Sequence, residues 1–348
     1  MESALPNAID ARRRAPVACY SRALRSSSPL LKWFARHQRD LAWRRTKDPY
    51  RIWLSEIMLQ QTRVAAAAPY YERFLARFPT VEALAAAPEA DVLTHWAGLG
   101  YYSRARNLHK AAQQIAAGGA GFPSTYDAIR ALPGVGDYTA AAVASIAFGL
   151  PHAAVDGNVL RVTARLGCEP GDIQSKPTRD RLTAAAQALL DPRRPGDWNQ
   201  AMMELGATVC LPREPRCLNC PFCNDCAARQ QNRQHELPVK IRRQRQVEID
   251  QTLLIIEKGD SILLWQRPPD SGRMAGFWEL PEQGQVAGAI EGVDDIKIFR
   301  HTITTSNFTF CVRRATVRRT PKGFRWMKRS ELVAVPVSTV VRKALDLA

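Results

Sequence analysis

From about residue 29 to residue 226, apolar positions recur at helical spacing in short runs, and proline and glycine separate the runs. Pro49 suits a first helical turn. It opens Ile52-Trp53-Leu54-Ser55-Glu56-Ile57-Met58-Leu59, an apolar stretch with widely spaced polar residues. Alanine-rich segments follow at 64–76, 81–87, 105–117, 139–148 and 183–190, broken near 79, 88, 98–100, 118–123, 133–136 and 149–151. The pattern predicts a mainly α domain of about ten short helices. The period then changes. Residues 227–248 are rich in Gln and Arg, poor in apolar residues, and read as a linker. Beyond 249, β-type runs at 252–256, 262–266, 298–303, 308–312 and 315–317 predict a small α+β domain over 249–348. Residues 1–28 read as a flexible basic arm or an overlong start, and 29–226 as the helical domain.

Charge narrows the partners. The 348 residues hold 49 Lys and Arg against 33 Asp and Glu, a net charge of +16. Such a balance suits a polyanion, most often nucleic acid, although it also serves plain solubility. No apolar run reaches the roughly 18 residues of a membrane span, so no membrane partner is expected. Arg12-Arg13-Arg14 is not followed by the apolar segment and cleavage site of a secretory signal. Of eight cysteines, five lie between 210 and 226, which favours metal in a reducing, cytoplasmic compartment over disulfides. Cys210, Cys217, Cys220 and Cys226 are spaced Cys-x6-Cys-x2-Cys-x5-Cys, which fits an iron–sulfur cluster or a structural zinc and leaves the metal open. Cys223 adds a second, ferredoxin-like possibility, Cys217-x2-Cys220-x2-Cys223-x2-Cys226.

Two further segments carry candidate chemistry. In Leu132-Pro133-Gly134-Val135-Gly136-Asp137-Tyr138-Thr139, the glycines can adopt positive φ and bring backbone N–H groups to a phosphate. The positive end of a helix beginning near Asp137 would add to this site. A bare Gly-x-Gly is usually a plain turn; the longer motif between two helices reads as a hairpin clamp on a DNA backbone. Glu56, flanked by Trp53, Ile57 and Leu59, is expected to have a raised pKa fit for a proton donor, unless one of the nearby arginines pairs with it. Asp156, in Val155-Asp156-Gly157-Asn158 before Arg161 and Arg165, could be a simple helix cap. Cleaving an N-glycosidic bond would use both carboxylates, one protonated for the leaving base and one ionised for the sugar cation.

These motifs resemble the adenine DNA glycosylase (MutY) family within the helix-hairpin-helix glycosylase superfamily. The resemblance spans about 30–345. It rests on the segment from Trp53 to Thr62, on Gly98-Leu99-Gly100-Tyr101-Tyr102-Ser103-Arg104-Ala105-Arg106, on the hairpin, on Val155-Asp156-Gly157-Asn158-Val159, on Asn199-Gln200-Ala201-Met202-Met203-Glu204-Leu205-Gly206, and on the cysteines. It implies a 4Fe–4S cluster on Cys210, Cys217, Cys220 and Cys226. The implied activity is removal of adenine mispaired with 8-oxoguanine or guanine, by a monomer acting on double-stranded DNA. Glu56 then stands where the family protonates adenine N7, and Asp156 where it stabilises the sugar cation, supported by Asn158 and Tyr138. Gln61 matches the residue inserted into the base stack, and Tyr101 the wedge beside the lesion. Trp43, Arg44 and Glu204 match the adenine pocket. Leu132, Gly134, Val135 and Gly136 match the DNA clamp.

The neighbouring endonuclease III family resembles the chain as far as the cysteines, but carries a lysine for Schiff-base chemistry at the position of Tyr138. A non-catalytic iron–sulfur DNA-binding protein would have no need for both carboxylates. Arg273-Met274-Ala275-Gly276-Phe277-Trp278-Glu279-Leu280-Pro281 resembles a NUDIX domain, but the Arg-Glu-x2-Glu-Glu run for magnesium does not follow. A lesion-recognition role without its own active site is therefore implied for 249–348. Many family members carry Phe-Ser-His where this chain has Ile303-Thr304-Thr305. Thr304 keeps a hydroxyl for 8-oxoguanine, and a weaker preference is expected. Residues 297–330 hold ten Lys or Arg and no acidic residue, which reads as a DNA face.

Overall fold

The computed structural model describes residues 28–241, 247–268, 270–271, 274–286, 290–303 and 306–346. The arm expected at the N-terminus therefore lies, but for Ser28, outside the described residues. In chain order the first helices are α1 (Ser28–His37), α2 (Pro49–Leu59), α3 (Val64–Arg77), α4 (Val81–Ala86), α5 (Glu89–Trp96) and α6 (Ser103–Gly118). They are followed by α7 (Tyr126–Arg130), α8 (Asp137–Phe148), α9 (Gly157–Leu166), α10 (Lys176–Leu189), α11 (Pro195–Thr208) and α12 (Ala227–Gln230). Strands β1 (Val247–Lys258), β2 (Ser261–Gln266), β3 (Trp278–Glu279), β4 (Ile290–Ile303), β5 (Ser306–Thr316) and β6 (Phe324–Lys328) precede α13 (Thr339–Ala344). Among the described residues, no helix is long and apolar enough to cross a membrane.

The chain divides into two compact units, one formed by residues up to 57 with 120–242, the other by 58–119 with 243–348. The first is organised around α8. Its residues from Thr139 to Ile146 are all buried, which accounts for the absence of any polar stripe in its sequence. Leu30, Phe34, Val162, Trp198 and Leu205 join α1, α9 and α11 in a further core. Residues 227–241, expected to be linker, pack on this unit instead. Ala228 and Leu237 are buried with Cys168, and the Leu237 carbonyl accepts from Arg165 Nε at 2.8 Å. A few apolar residues suffice here because a buried arginine fixes the backbone beside them.

In the second unit, α6 buries Ala105, Leu108, Ala112 and Ile115 at helical spacing. Phe74, Phe78 and Trp96 form an aromatic cluster, with ring centroids 4.8 and 5.9 Å from that of Phe74. The sheet has the order β3-β2-β1-β5-β4, with β6 also paired to β2. β1 runs parallel to β5 and antiparallel to β2, and α13 shares the core formed by Leu253, Phe310 and Val341. The predicted runs at 308–312 and 315–317 are one strand, β5, whose alternating burial turns Arg314 outward without breaking the ladder. α6 also meets this sheet domain. Tyr102 packs on Phe277 with centroids 4.0 Å apart, and Arg106 donates to the Ala275 carbonyl.

Candidate active site and thiol cluster

α2 carries Glu56 inward among Trp53 and Ile57, and only 6% of its surface is exposed. α8 begins directly after the glycine hairpin, with Gly136 as its N-cap, and sets Tyr138 opposite. The Tyr138 hydroxyl donates to Glu56 Oε2 at 2.5 Å and lies 3.3 Å from the Met203 sulfur. Burial pushes the Glu56 carboxyl up to about 7. The Tyr138 hydrogen bond and Arg44 counter this, and the negative charge of Asp156 adds to it. Burial likewise raises Tyr138, so its phenol stays a donor.

Asp156 caps α9, accepting from the Val159 N–H at 2.7 Å, as its bare sequence motif allows. Its second oxygen accepts from Asn158 Nδ2 at 2.7 Å. Burial raises its pKa, while these bonds and the charge of Arg161 pull it down. A chain of contacts continues from there. Arg161 Nη2 donates to Asn158 Oδ1 at 2.9 Å and to the Gly206 carbonyl at 2.8 Å, and its Nε donates to the Cys210 carbonyl at 2.8 Å. Gly206 permits the approach of α11, since a Cβ there would fall 2.6 Å from the Asn158 Cβ.

Glu204, on α11, is fully buried and has different neighbours. Arg39 binds it through Nε to Oε1 and Nη2 to Oε2, both at 2.8 Å, and through its backbone N–H at 3.0 Å. Arg44 Nη2 reaches Oε2 at 2.7 Å. Burial would raise this carboxyl, but the two guanidinium groups hold it at about 2. Trp43 is buried beside Arg44 in a short 3-10 turn, Ala42–Arg44. Arg39 belongs to this group and was not found from the sequence. It follows α1 in no motif, and only the tertiary approach of α11 reveals it.

In the hairpin, Gly134 has a φ of 75°, a conformation that disfavours any side chain. Leu132 and Val135 are buried, and the Val135 N–H is bonded to the Leu132 carbonyl. Their side chains therefore anchor the turn in the core, and Gly136 is the N-cap of α8.

Cys210, Cys217, Cys220, Cys223 and Cys226 line one cavity with Arg165 and Arg229. Burial pushes the Cys220 thiol up to about 12, with neighbouring thiols adding to the shift, and burial also raises Cys217 and Cys226. Arg165, only 2% exposed, donates to Cys210 Sγ at 3.3 Å and to the carbonyls of Leu211 and Pro212. Among the described residues, no three Cys, His, Asp or Glu side chains converge closely enough to hold one metal ion.

Gln61 and Tyr101 belong to the second unit. Both are exposed and both have positive φ, 57° and 49°. Ile303 pairs with Ser306 at the end of the β4–β5 hairpin, and Thr304 lies outside the described residues. The basic stretch beyond Lys297 is partly neutralised. Lys297 pairs with Asp346, and Arg329 binds Glu257 at 2.6 Å.

Comparison with known proteins agrees with these two kinds of domain. Residues 54–188 match the HhH-GPD superfamily of base excision DNA repair proteins, and residues 251–347 match a NUDIX domain. The human adenine DNA glycosylase is 34% identical over 90% of this chain and 72% of its own length. The mouse adenine DNA glycosylase is 34% identical over 92% of this chain and 77% of its own. Among solved structures, a thermostable thymine-DNA glycosylase superposes with a TM-score of 0.53 at 29% identity, covering 65% of this chain and all of its own. An endonuclease III–DNA complex gives 0.52 at 22% identity, over 62% of this chain and 98% of its own, a likeness of fold alone.

Proposed function

Since the chain belongs to the adenine DNA glycosylase family, we propose that it releases adenine standing opposite 8-oxoguanine or guanine in duplex DNA. Release is by hydrolysis, without a covalent protein–DNA intermediate. The Glu56–Tyr138–Asp156 group carries this reading. A carboxyl with a pKa near 7 is half protonated at neutral pH and can give its proton to the N7 of an extruded adenine. The C1′–N9 bond then breaks, and its electron pair leaves with the base. Asp156, whose carboxylate accepts from Val159 N–H and Asn158 and faces the charge of Arg161 against the upward pull of burial, stabilises the sugar cation until water adds at C1′. Tyr138 offers a hydroxyl to Glu56 and no amine for a Schiff base, which supports a monofunctional hydrolase. Glu204, Arg44 and Trp43 line the adenine pocket, with Arg39 fixing Glu204. Gln61 and Tyr101 enter the base stack, and the hairpin from Leu132 to Gly136 grips the phosphate backbone.

The thiol cavity fits a 4Fe–4S cluster. Buried thiols with raised pKa values release their protons when a cationic group takes the thiolates. Arg165, buried against Cys210, supplies positive charge to a ligand set that carries net negative charge. Cys210, Cys217, Cys220 and Cys226 would hold the cluster, which would cross-link the loop after α11 and take no part in proton transfer. A reducing, cytoplasmic compartment suits this thiol chemistry, and the protein is taken to act as a monomer. The test is adenine release from duplexes with 8-oxoguanine, guanine, cytosine or thymine opposite the adenine. Release confined to the first two supports the reading. Equal release opposite thymine overturns it, and borohydride-trapped DNA adducts overturn the hydrolytic mechanism.

A further inference from the structure

Gln61 and Tyr101 share a feature that their place in sequence does not explain. Each is a non-glycine residue in the left-handed region, and each is exposed, so no burial of its own side chain compensates the strained backbone. One side chain touches the segments on both sides of this pair. From the first turn of α6, Arg104 Nη1 donates to the Met58 carbonyl at 3.1 Å and to the Gln60 carbonyl at 2.5 Å. Its Nη2 donates to Thr62 Oγ1 and the Leu99 carbonyl, both at 3.4 Å, and to the Gly100 carbonyl at 3.2 Å. Gln61 is thus bracketed by two anchored neighbours, Gln60 and Thr62, and Tyr101 is preceded by two, Leu99 and Gly100. The guanidinium also lies 5.3 Å from the Tyr101 ring centroid and 5.4 Å from that of Trp96. Trp96 Nε1 in turn donates to the Gly100 carbonyl at 3.1 Å.

We propose that Arg104 is the positioning residue for the pair that enters the base stack, holding Gln61 and Tyr101 in their left-handed conformations before DNA arrives. This rests on the wedge reading of Gln61 and Tyr101 given above. The chemistry requires arginine. A planar fork with five donors can meet acceptors on two separate turns and stack on an aromatic ring, whereas a lysine ammonium is a single point. Preorganisation matters because base extrusion costs unstacking energy. Side chains already set in place lose little further freedom on entering the gap. The contacts of Arg104 fall on the segments that carry Gln61 and Tyr101, so its effect is expected on extrusion rather than on bond cleavage.

The test compares Arg104→Lys with Gln61→Ala and Tyr101→Ala on two substrates, under single-turnover conditions with the full chain. One substrate is a duplex with adenine opposite 8-oxoguanine and 2-aminopurine beside it, whose fluorescence reports unstacking. The other holds adenine in an unpaired bubble, already out of the stack. Arg104→Lys is expected to lose the fluorescence rise and about tenfold or more of the duplex rate, with most of the loss recovered on the bubble. Fluorescence and duplex rate within twofold of the unmodified protein would overturn the proposal. Equal losses on both substrates, with a lowered melting temperature, would also overturn it by making Arg104 a general fold support. If Gln61→Ala and Tyr101→Ala leave the fluorescence rise intact, the wedge reading itself fails. If they abolish it while Arg104→Lys does not, only the role of Arg104 falls.

Discussion

Glu56 and Glu204 are both buried glutamates of the same unit, and their carboxyl pKa values are shifted in opposite directions. The first lies near a pKa of 7 and the second near 2. Burial raises both. The difference comes from what faces each carboxylate: a phenol and a second acid around Glu56, two guanidinium groups around Glu204. Arg44 bridges the two environments, bonding Glu204 directly and acting on Glu56 only through its charge. A protein needing one acid to give a proton and another to hold a fixed negative charge can build both from the same residue, by choice of partners.

The largest break in this comparison is Glu56→Gln. It keeps the shape and the Tyr138 contact but removes the proton, so adenine release should fall at least about a thousandfold while mispair binding persists. Single-turnover excision beside a binding isotherm checks it; turnover within tenfold of the unmodified protein would end the proton-donor role. Next is Arg44→Ala. It leaves the buried Glu204 with Arg39 alone and should cost about 3 kcal/mol of stability in urea unfolding, more than Arg39→Ala, whose side chain is more exposed. The reverse order would mean that Arg44 is not the principal counter-charge.

Much of this contrast was legible in the sequence, but unevenly. Glu56, Asp156, the glycine hairpin and the cysteines sit in local motifs, where neighbouring residues state the chemistry. The role of Arg39 depends on α11 meeting the segment after α1, and the bonds from Arg161 to Gly206 and Cys210 depend on α9 and α11 meeting; no local pattern encodes either approach. Leu132 and Val135 entered the candidate set as members of the hairpin motif, and the structure adds that their side chains are buried and anchor the turn. β3 and β6, of two and five residues, gave too little alternation to be seen.

Smaller effects sharpen the comparison. Arg161→Gln removes charge from beside Asp156 and a hydrogen bond to Asn158. Excision opposite 8-oxoguanine should fall about tenfold with the melting temperature little changed, in line with one charge-assisted bond. An unchanged rate would separate Asp156 from its supporting chain. Thr304→Ala should have the least effect, a reduction of severalfold in the preference for 8-oxoguanine over guanine, with excision opposite guanine kept. A preference that stays the same would remove Thr304 from lesion reading.

The central claim is that Glu56 keeps a substantial protonated fraction at neutral pH while Glu204 remains charged. Its most direct test is the pH profile of single-turnover adenine release from pH 5 to 9. Glu56 is raised from 4.5 to about 7, so the native state keeps its proton where an unfolded chain would have lost it. The protonated, active form is therefore full below about pH 6 and lost as pH rises through 7. Glu204, held near 2, does not titrate in this range. The account predicts a rate that falls about tenfold for each unit above pH 7, and a loss of stability between pH 4.5 and 7 that Glu56→Gln abolishes. A rate that is flat to pH 9, with unfolding equally insensitive in both proteins, would contradict it.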